Sequence, residues 1–459
     1  MILFTEKAFL LKKRINARYS FIYMKPNGLI NCNNHPKPKR FAGILLHLHP
    51  QLIREEALVF NRTFGLGGMA ALLIVIQFIT GVMLRFYYEP FPQKAYDSIL
   101  LLQNNVLFGQ LIRNIHHWCG VFLVIIAFLH LLRVFFTGGF QSSRKINWLI
   151  GLALFILIIF SNFTGYLLPW DQLAYWAVTV GTSLLDYIPL IGNSIREFVL
   201  SGDEVNANTL LIFFNFHTAV LPILILLLMV WHFWRVRKAG GIILPKSTEQ
   251  KAAIPTYPNL VYREFIVALV LIAIVLVFSV FLNAPLLSKA NPDFSLNPTK
   301  APWYFAGIQE LLLHFHPFVA AFLIPITIIF LLAALPFINL KETPSGLWFY
   351  SDKAMQAAKF TAIASSVITL ILILINEFLP DFETLLPWLN SFISNGIIPL
   401  AIVLCIVWFY YKYILKKFSL TYLEVVQTLF VFVTSAFIIL TIVGIFFRGV
   451  DMELTLPWN

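Results

Sequence analysis

Two apolar stretches of the sequence carry histidines at repeating intervals. IHHWCGVFLVIIAFLHLLRVF (115–135) holds His116, His117 and His130; FHTAVLPILILLLMVWHFWRVRK (216–238) holds His217 and His232. An α-helix turns ~100° and rises ~1.5 Å per residue, so His116 and His130, 14 apart, share one face ~21 Å apart along the axis. His117 is 13 from His130 and points well away from that face, which sets it aside as an interfacial residue. His217 and His232 are 15 apart, again nearly one face, ~22 Å along the helix. If the two helices lie side by side and antiparallel, His116 meets His217 near one membrane surface and His130 meets His232 near the other. A pair of facing neutral imidazoles supplies both axial ligands of a six-coordinate haem iron, and a flat macrocycle fits between the helices of a bundle. A cage for a single ion such as zinc is excluded, because ligands ~20 Å apart cannot converge.

Glycines repeat the interval. Gly67 and Gly81 are 14 apart, as are Gly151 and Gly165, and a missing side chain lets a large ring approach the backbone. Small-residue packing between membrane helices is the competing explanation for any one such pair. Arg113 and Arg133 flank the first histidine segment, and two roles suit them: pairing with haem propionates, or reaching out to the membrane interface.

Positioning these groups requires membrane helices. The chain has 459 residues, 59% hydrophobic and 12% charged, with a mean hydropathy of +0.81. Apolar runs of about 20 residues match a hydrocarbon core of ~30 Å, and alternating barrel strands are absent from the pattern. Nine spans are expected, at 63–86, 114–134, 147–168, 210–234, 264–284, 317–338, 360–379, 393–413 and 425–447. With the N-terminus inside, 26 of the 33 Lys and Arg residues fall on the inner side, and 14 of the 22 acidic residues fall outside. That asymmetry fixes the orientation and accounts for the net charge of +11 without nucleic acid. The fold class is therefore an all-α, polytopic membrane protein in a bilayer, its first four spans forming a dihaem four-helix bundle.

Residues 1–60 form a basic arm, with KKR at 12–14 and KPKR at 37–40, suited to a cytoplasmic location near anionic lipid; no secretory signal pattern is evident. In the outer loop 169–209, LDYIPLIGNSIREFVL has the character of short surface helices. The outer loop 285–316 carries NPTKAPWY and is too apolar for disorder. Three scattered cysteines, Cys32, Cys119 and Cys405, form neither a disulfide framework nor a c-type haem motif, and Cys119 reads as a packed small hydrophobe.

RNIHHWCG, AFLHLLRVFFTGGF, FTGYLLPWDQLAYWAV, FHTAVLP and HFWRVRKAGG closely resemble the cytochrome b subunit of Rieske/cytochrome b complexes, over about Phe60 to Lys238. The 15-residue histidine interval is similar to the b6-type branch. Tyr257 to Leu340, with NPTKAPWYFAGIQELL, resembles the smaller partner subunit of that branch, fused on, and FFRGVDMELTLPW resembles the end of that subunit's last span. The resemblance divides the chain into the arm 1–60, a dihaem domain 61–240, a subunit-IV-like domain 255–340 with the quinol loop, inserted helices 341–420 and a final helix and tail 421–459. It implies two b haems (outer, His116 and His217; inner, His130 and His232), quinol oxidation near the outer surface, one electron passed to a Rieske iron–sulfur protein and a cytochrome c-type subunit, and the other carried inward to a quinone. Proton translocation, a homodimeric complex and an energy-transducing membrane, bacterial cytoplasmic or equivalent, follow from the same resemblance.

The chain departs from that pattern in three places. The family's loop usually reads PEWY with a proton-accepting glutamate; here it is Ala301–Pro302–Trp303–Tyr304, and Pro302 stands at the glutamate position. Glu310 or Tyr304 is then expected to take over the proton path, against the alternative that Glu310 pairs with His314. The b6-type branch attaches a third haem through a cysteine where this chain has Gly65, so no covalent third haem is expected. Arg237 and Lys238 match a basic pair near the b6-type quinone-reduction site, or simply belong to the inner basic belt. A different dihaem anchor would lack the APWY loop and the helices after it. A transporter with incidental histidines would lack a b-type absorption band.

Overall fold

Each apolar run must satisfy its backbone within its own segment once water is excluded, and the helix is the solution available to a single run. The computed structural model describes residues 51–245, 253–338 and 346–456. Residues 1–50, and with them most of the basic arm and Cys32, lie outside the described residues. Among the described residues, nine helices are long and apolar enough to cross a membrane, the number the hydropathy pattern gives. They are α1 (Leu66–Arg85), α2 (Gly109–Phe136), α3 (Lys145–Leu167), α4 (Ala207–Lys238), α5 (Thr256–Phe281), α6 (Val319–Phe337), α7 (Asp352–Phe378), α8 (Phe392–Phe418) and α9 (Tyr422–Phe446). Several run beyond the apolar core, so α2 begins five residues before the expected Asn114 and α7 eight residues before Phe360. In the outer loop, Leu184–Tyr187 and Gly192–Leu200 are short helices.

The sidedness of the helices is inverted relative to a water-soluble bundle. Phe265, Ile266, Leu269, Val270, Val277 and Val280 of α5 are exposed, while Thr80, Arg113, Asn114, Glu310 and Gln427 are buried. Lipid is as apolar as leucine, so close packing and internal hydrogen bonds hold the helices together instead. Asn114 donates to the Ser279 carbonyl at the end of α5, Trp148 Nε1 to the Leu332 carbonyl of α6, and Gln427 of α9 to the Phe136 carbonyl of α2. α7 and α8 are tied in the same way: Ser365 of α7 donates to the Phe432 carbonyl of α9, and Thr361 shares a hydrogen bond with Tyr410 of α8. Two short strands are also present among the described residues: Leu52–Arg54 pairs antiparallel with Ala253–Pro255.

Proline shapes three of the spans. α4, α6 and α8 each contain a π-helical turn, at Phe216–Val220, Val319–Leu323 and Phe392–Ile397, immediately before a segment whose second residue is Pro222, Pro325 or Pro399. A helical proline has no N–H to donate and crowds the carbonyl four residues back. Widening that turn relieves the clash, and the extra residue it absorbs rotates everything on its N-terminal side.

Candidate haem and quinol sites

His116 of α2 and His217 of α4 face each other with ring centres 6.2 Å apart, and His130 and His232 do so at 6.5 Å, the ring planes near perpendicular in each pair. Two metal–imidazole bonds of ~2 Å each, with each nitrogen ~1 Å from its ring centre, add to about 6 Å, so each gap has the width of one bridging metal centre. His217 lies inside the π turn of α4. The extra residue in that turn lets a 15-residue interval keep the facing of the 14-residue interval on α2.

Hydrogen bonds settle which nitrogen of each outer ring is available. Thr80 gives its own proton to the Ile76 carbonyl at 2.8 Å, so the 2.9 Å contact between Thr80 Oγ1 and His116 Nδ1 needs His116 to donate. His217 Nδ1 lies 2.9 Å from the Ser161 carbonyl, which can only accept. Both outer rings therefore carry the proton on Nδ1 and leave the Nε2 lone pair free, the arrangement of a metal-binding histidine oriented by a hydrogen bond behind it. Thr164 Oγ1 is a further 3.4 Å neighbour of His217 Nδ1. Thr80 and Thr164 escaped the sequence reading, although the signal was present: each immediately precedes a glycine of the repeat, as Thr80–Gly81 and Thr164–Gly165.

Each glycine abuts one histidine. A Cβ built at Gly67, Gly81, Gly151 or Gly165 would lie 3.3, 3.3, 3.5 or 2.4 Å from Cε1 of His130, His116, His232 or His217 respectively. The glycines thus make room for the imidazoles that flank each gap. At the inner level, His232 Nδ1 is buried beside the backbone of Asn147, without the close hydrogen bond that each outer ring makes. Cys119 is fully buried in the bundle core, and His117 turns toward Trp118, ring centres 5.1 Å apart.

Both arginines hold backbone carbonyls. Arg113 is buried and donates to the carbonyls of Ala284 and Pro285 at 2.9 and 2.6 Å, so it tethers the chain leaving α5. Arg133 donates Nε to the Arg62 carbonyl at 2.8 Å and lines an apolar cavity of about 360 Å³ with Phe64, Leu66, Leu129, Phe136 and Trp348. That cavity flanks Gly65, whose φ of +68° is a conformation that suits glycine. Arg237 and Lys238 do not line it; Lys238 Nζ sits 5.1 Å over the Trp234 ring.

In the outer loop, Pro302 is buried, and Trp303 and Tyr304 pack against the core cluster of α1, α2 and α5. The Tyr304 hydroxyl is buried without a partner, and burial, then the neighbouring Tyr166, pushes its phenol up, so it is a neutral donor at ordinary pH. Glu310 corrects the expected proton path. It is fully buried, facing α9, with Arg448 Nη2 at 2.6 Å and His314 Nε2 at 3.2 Å. Burial alone would raise its carboxyl, but the bonds from His314 and Arg448 and the guanidinium's charge hold it below the ordinary range. A carboxylate held this way is a poor proton acceptor, and a phenol pushed up is no base. The expected pairing of Glu310 with His314 is present. Arg448 was missed because 138 positions separate it from Glu310.

A conserved-family model described as cytochrome b/b6/petB matches residues 54–240. Cytochrome b6 of Heliomicrobium gestii is 38% identical over 180 residues, 39% of this chain and 84% of that protein. Cytochrome b6 of Acaryochloris marina is 41% identical over the same shares. A solved structure titled hyperthermophilic respiratory Complex III matches with a TM-score of 0.63 at 22% identity, over 88% of this chain and 96% of that one, a likeness of fold that extends past the region of sequence similarity. The chain belongs to the cytochrome b/b6 family. It is accordingly a multi-pass membrane electron-transfer subunit of the quinol oxidoreductase class, with b-type haem as its cofactor.

Proposed function

We propose that the chain is the cytochrome b subunit of a quinol–cytochrome c oxidoreductase, holding two b haems and oxidising quinol at the outer side. The observation that carries this reading is the pair of matched gaps, 6.2 and 6.5 Å wide, each lined by two histidines and two glycines. When bound, the haems supply one-electron carriers spaced along the membrane normal. His116 and His217 would hold the outer one through Nε2, and His130 and His232 the inner one. The unpartnered Tyr304 hydroxyl would hydrogen-bond a quinol, with Trp303 and Pro302 shaping the wall. The apolar cavity with Arg133 at its edge suits an inner quinone, a better fit than Arg237 and Lys238. A Rieske protein and a cytochrome c-type subunit as acceptors, a homodimeric assembly, an inner-side N-terminus and proton release outside belong to the same reading. So do the division at about 240, 255, 340 and 420, and the lack of a covalent haem at Gly65.

The test is haem content per polypeptide in the purified complex. His116→Leu and His217→Leu each should halve the reduced b-band, and His117→Leu should leave it whole. Equal loss in the His117 variant, or none in the others, would sink the assignment.

A further inference from the structure

Helices α7 and α8 have no role in the proposal above, yet they reach the segment around the quinol loop at three points. Glu377, one residue before the end of α7, accepts from Arg448 Nη1 at 2.8 Å and from the Leu454 N–H at 3.0 Å. Arg448 is 2% exposed and spends Nε and Nη2 on Glu310, a buried residue of the short helix Ala306–Leu312, which starts two residues after Tyr304. Asn376 donates to the Leu313 carbonyl at 3.5 Å, at the far end of that short helix. On α8, the widened π turn frees the Asn395 carbonyl, which accepts the His316 N–H at 2.7 Å. The tail after α9 completes the frame from the other end of the loop. Asn297 and Asp451 exchange two hydrogen bonds of 2.6 and 2.7 Å, and Lys300 caps the Ile445 carbonyl at 2.9 Å.

The loop is therefore fixed on both sides by one short tail, and that tail is fixed by a carboxylate that α7 contributes. A guanidinium is a planar fork with donors in fixed directions, so a single arginine holds two carboxylates in one geometry. Removing Glu377 leaves Nη1 with the Met452 carbonyl alone and frees the fork to turn about Glu310. We propose that the helix pair α7 and α8 is an integral part of the outer quinol site, with Glu377 and Arg448 as positioning residues that set the short helix and, through it, the Pro302–Tyr304 wall. This rests on the reading of that loop as the quinol site.

The experiment compares Glu377→Ala, Glu377→Gln and Glu377→Asp in the assembled complex. Steady-state quinol oxidation is measured alongside the reduced b-band per polypeptide. Displacements of about 1 Å at a reacting site cost up to ~100-fold, so Glu377→Ala should lower kcat/KM for quinol by roughly 10- to 100-fold, chiefly through KM, at full haem content. Glu377→Gln, which keeps the size and an acceptor for Leu454, should fall between, and Glu377→Asp should recover most of the loss. An unchanged kcat/KM in both the alanine and glutamine variants overturns the proposal. So does a loss of activity that only tracks lost haem, or no recovery with aspartate. Failure of the parent complex to reduce its haems with quinol would overturn the function reading instead.

Discussion

The outer and inner histidine pairs are built on the same helices with the same interval, but they are held differently. At the outer level both rings hydrogen-bond through Nδ1, to Thr80 and to the Ser161 carbonyl, and each threonine neighbour sits beside the glycine that receives the ring. At the inner level the residues before the glycines are Leu66 and Ile150, and His232 Nδ1 has only the backbone of Asn147 beside it, without a close hydrogen bond. Hydrogen bonding behind a ligand fixes its tautomer and orientation and raises its basicity. The outer cradle is therefore specified by polar contacts, and the inner one, at His232, by packing.

The largest expected effect tests clearance. Gly165→Ala puts a methyl 2.4 Å from His217 Cε1, whereas Gly151→Ala puts one 3.5 Å from His232 Cε1, an ordinary contact. Haem per polypeptide should fall toward half in the first variant and stay whole in the second; equal outcomes would erase the distinction in packing. A smaller effect tests the hydrogen bond. Thr80→Val keeps the shape and removes the acceptor, leaving His116 a weaker donor to iron. At ~1 kcal/mol for such a bond, the outer haem's midpoint potential should rise by about 40 mV for one electron. A redox titration in which the inner haem moved instead, or neither moved, would contradict the asymmetry.

The smallest effect at neutral pH concerns the outer end alone. Glu310's carboxyl is lower in the folded protein than its ordinary value of ~4.3, so the stability it contributes is complete above that value and is lost as pH falls through the folded value. Protection factors of residues 306–313 should drop on acidification below ~4, with those at the inner end of α4 unchanged, and Glu310→Gln should remove the dependence. Uniform loss at both ends would indicate general acid unfolding.

How much of this was legible follows the range of each interaction. The nine spans are written in runs of apolar residues, and the facing of the four rings in intervals of 14 and 15; their ligand role remains a proposal. The Glu310–His314 contact was legible because four residues make one turn. Arg448, Glu377 and Glu310 come from three separate helices or their ends, and nothing local in any of them announces the others. The strand pair Leu52–Arg54 with Ala253–Pro255 was hidden for the same reason. The backbone partners of Arg113 and Arg133 were hidden because a basic residue at the end of a span was weighed only against charge and solvent, whereas these carbonyls are brought up by distant loops.

The π turn at Phe216–Val220 bears on how such proteins are compared with one another. It lets a helix gain a residue without moving either histidine off its partner, so an alignment that treats the interval as fixed would register an insertion where the architecture registers none. Relatives differing by one position between the two histidines of this helix can share a cradle unchanged. The invariant to search for is a whole number of turns between partners, with a proline shortly after the wider one.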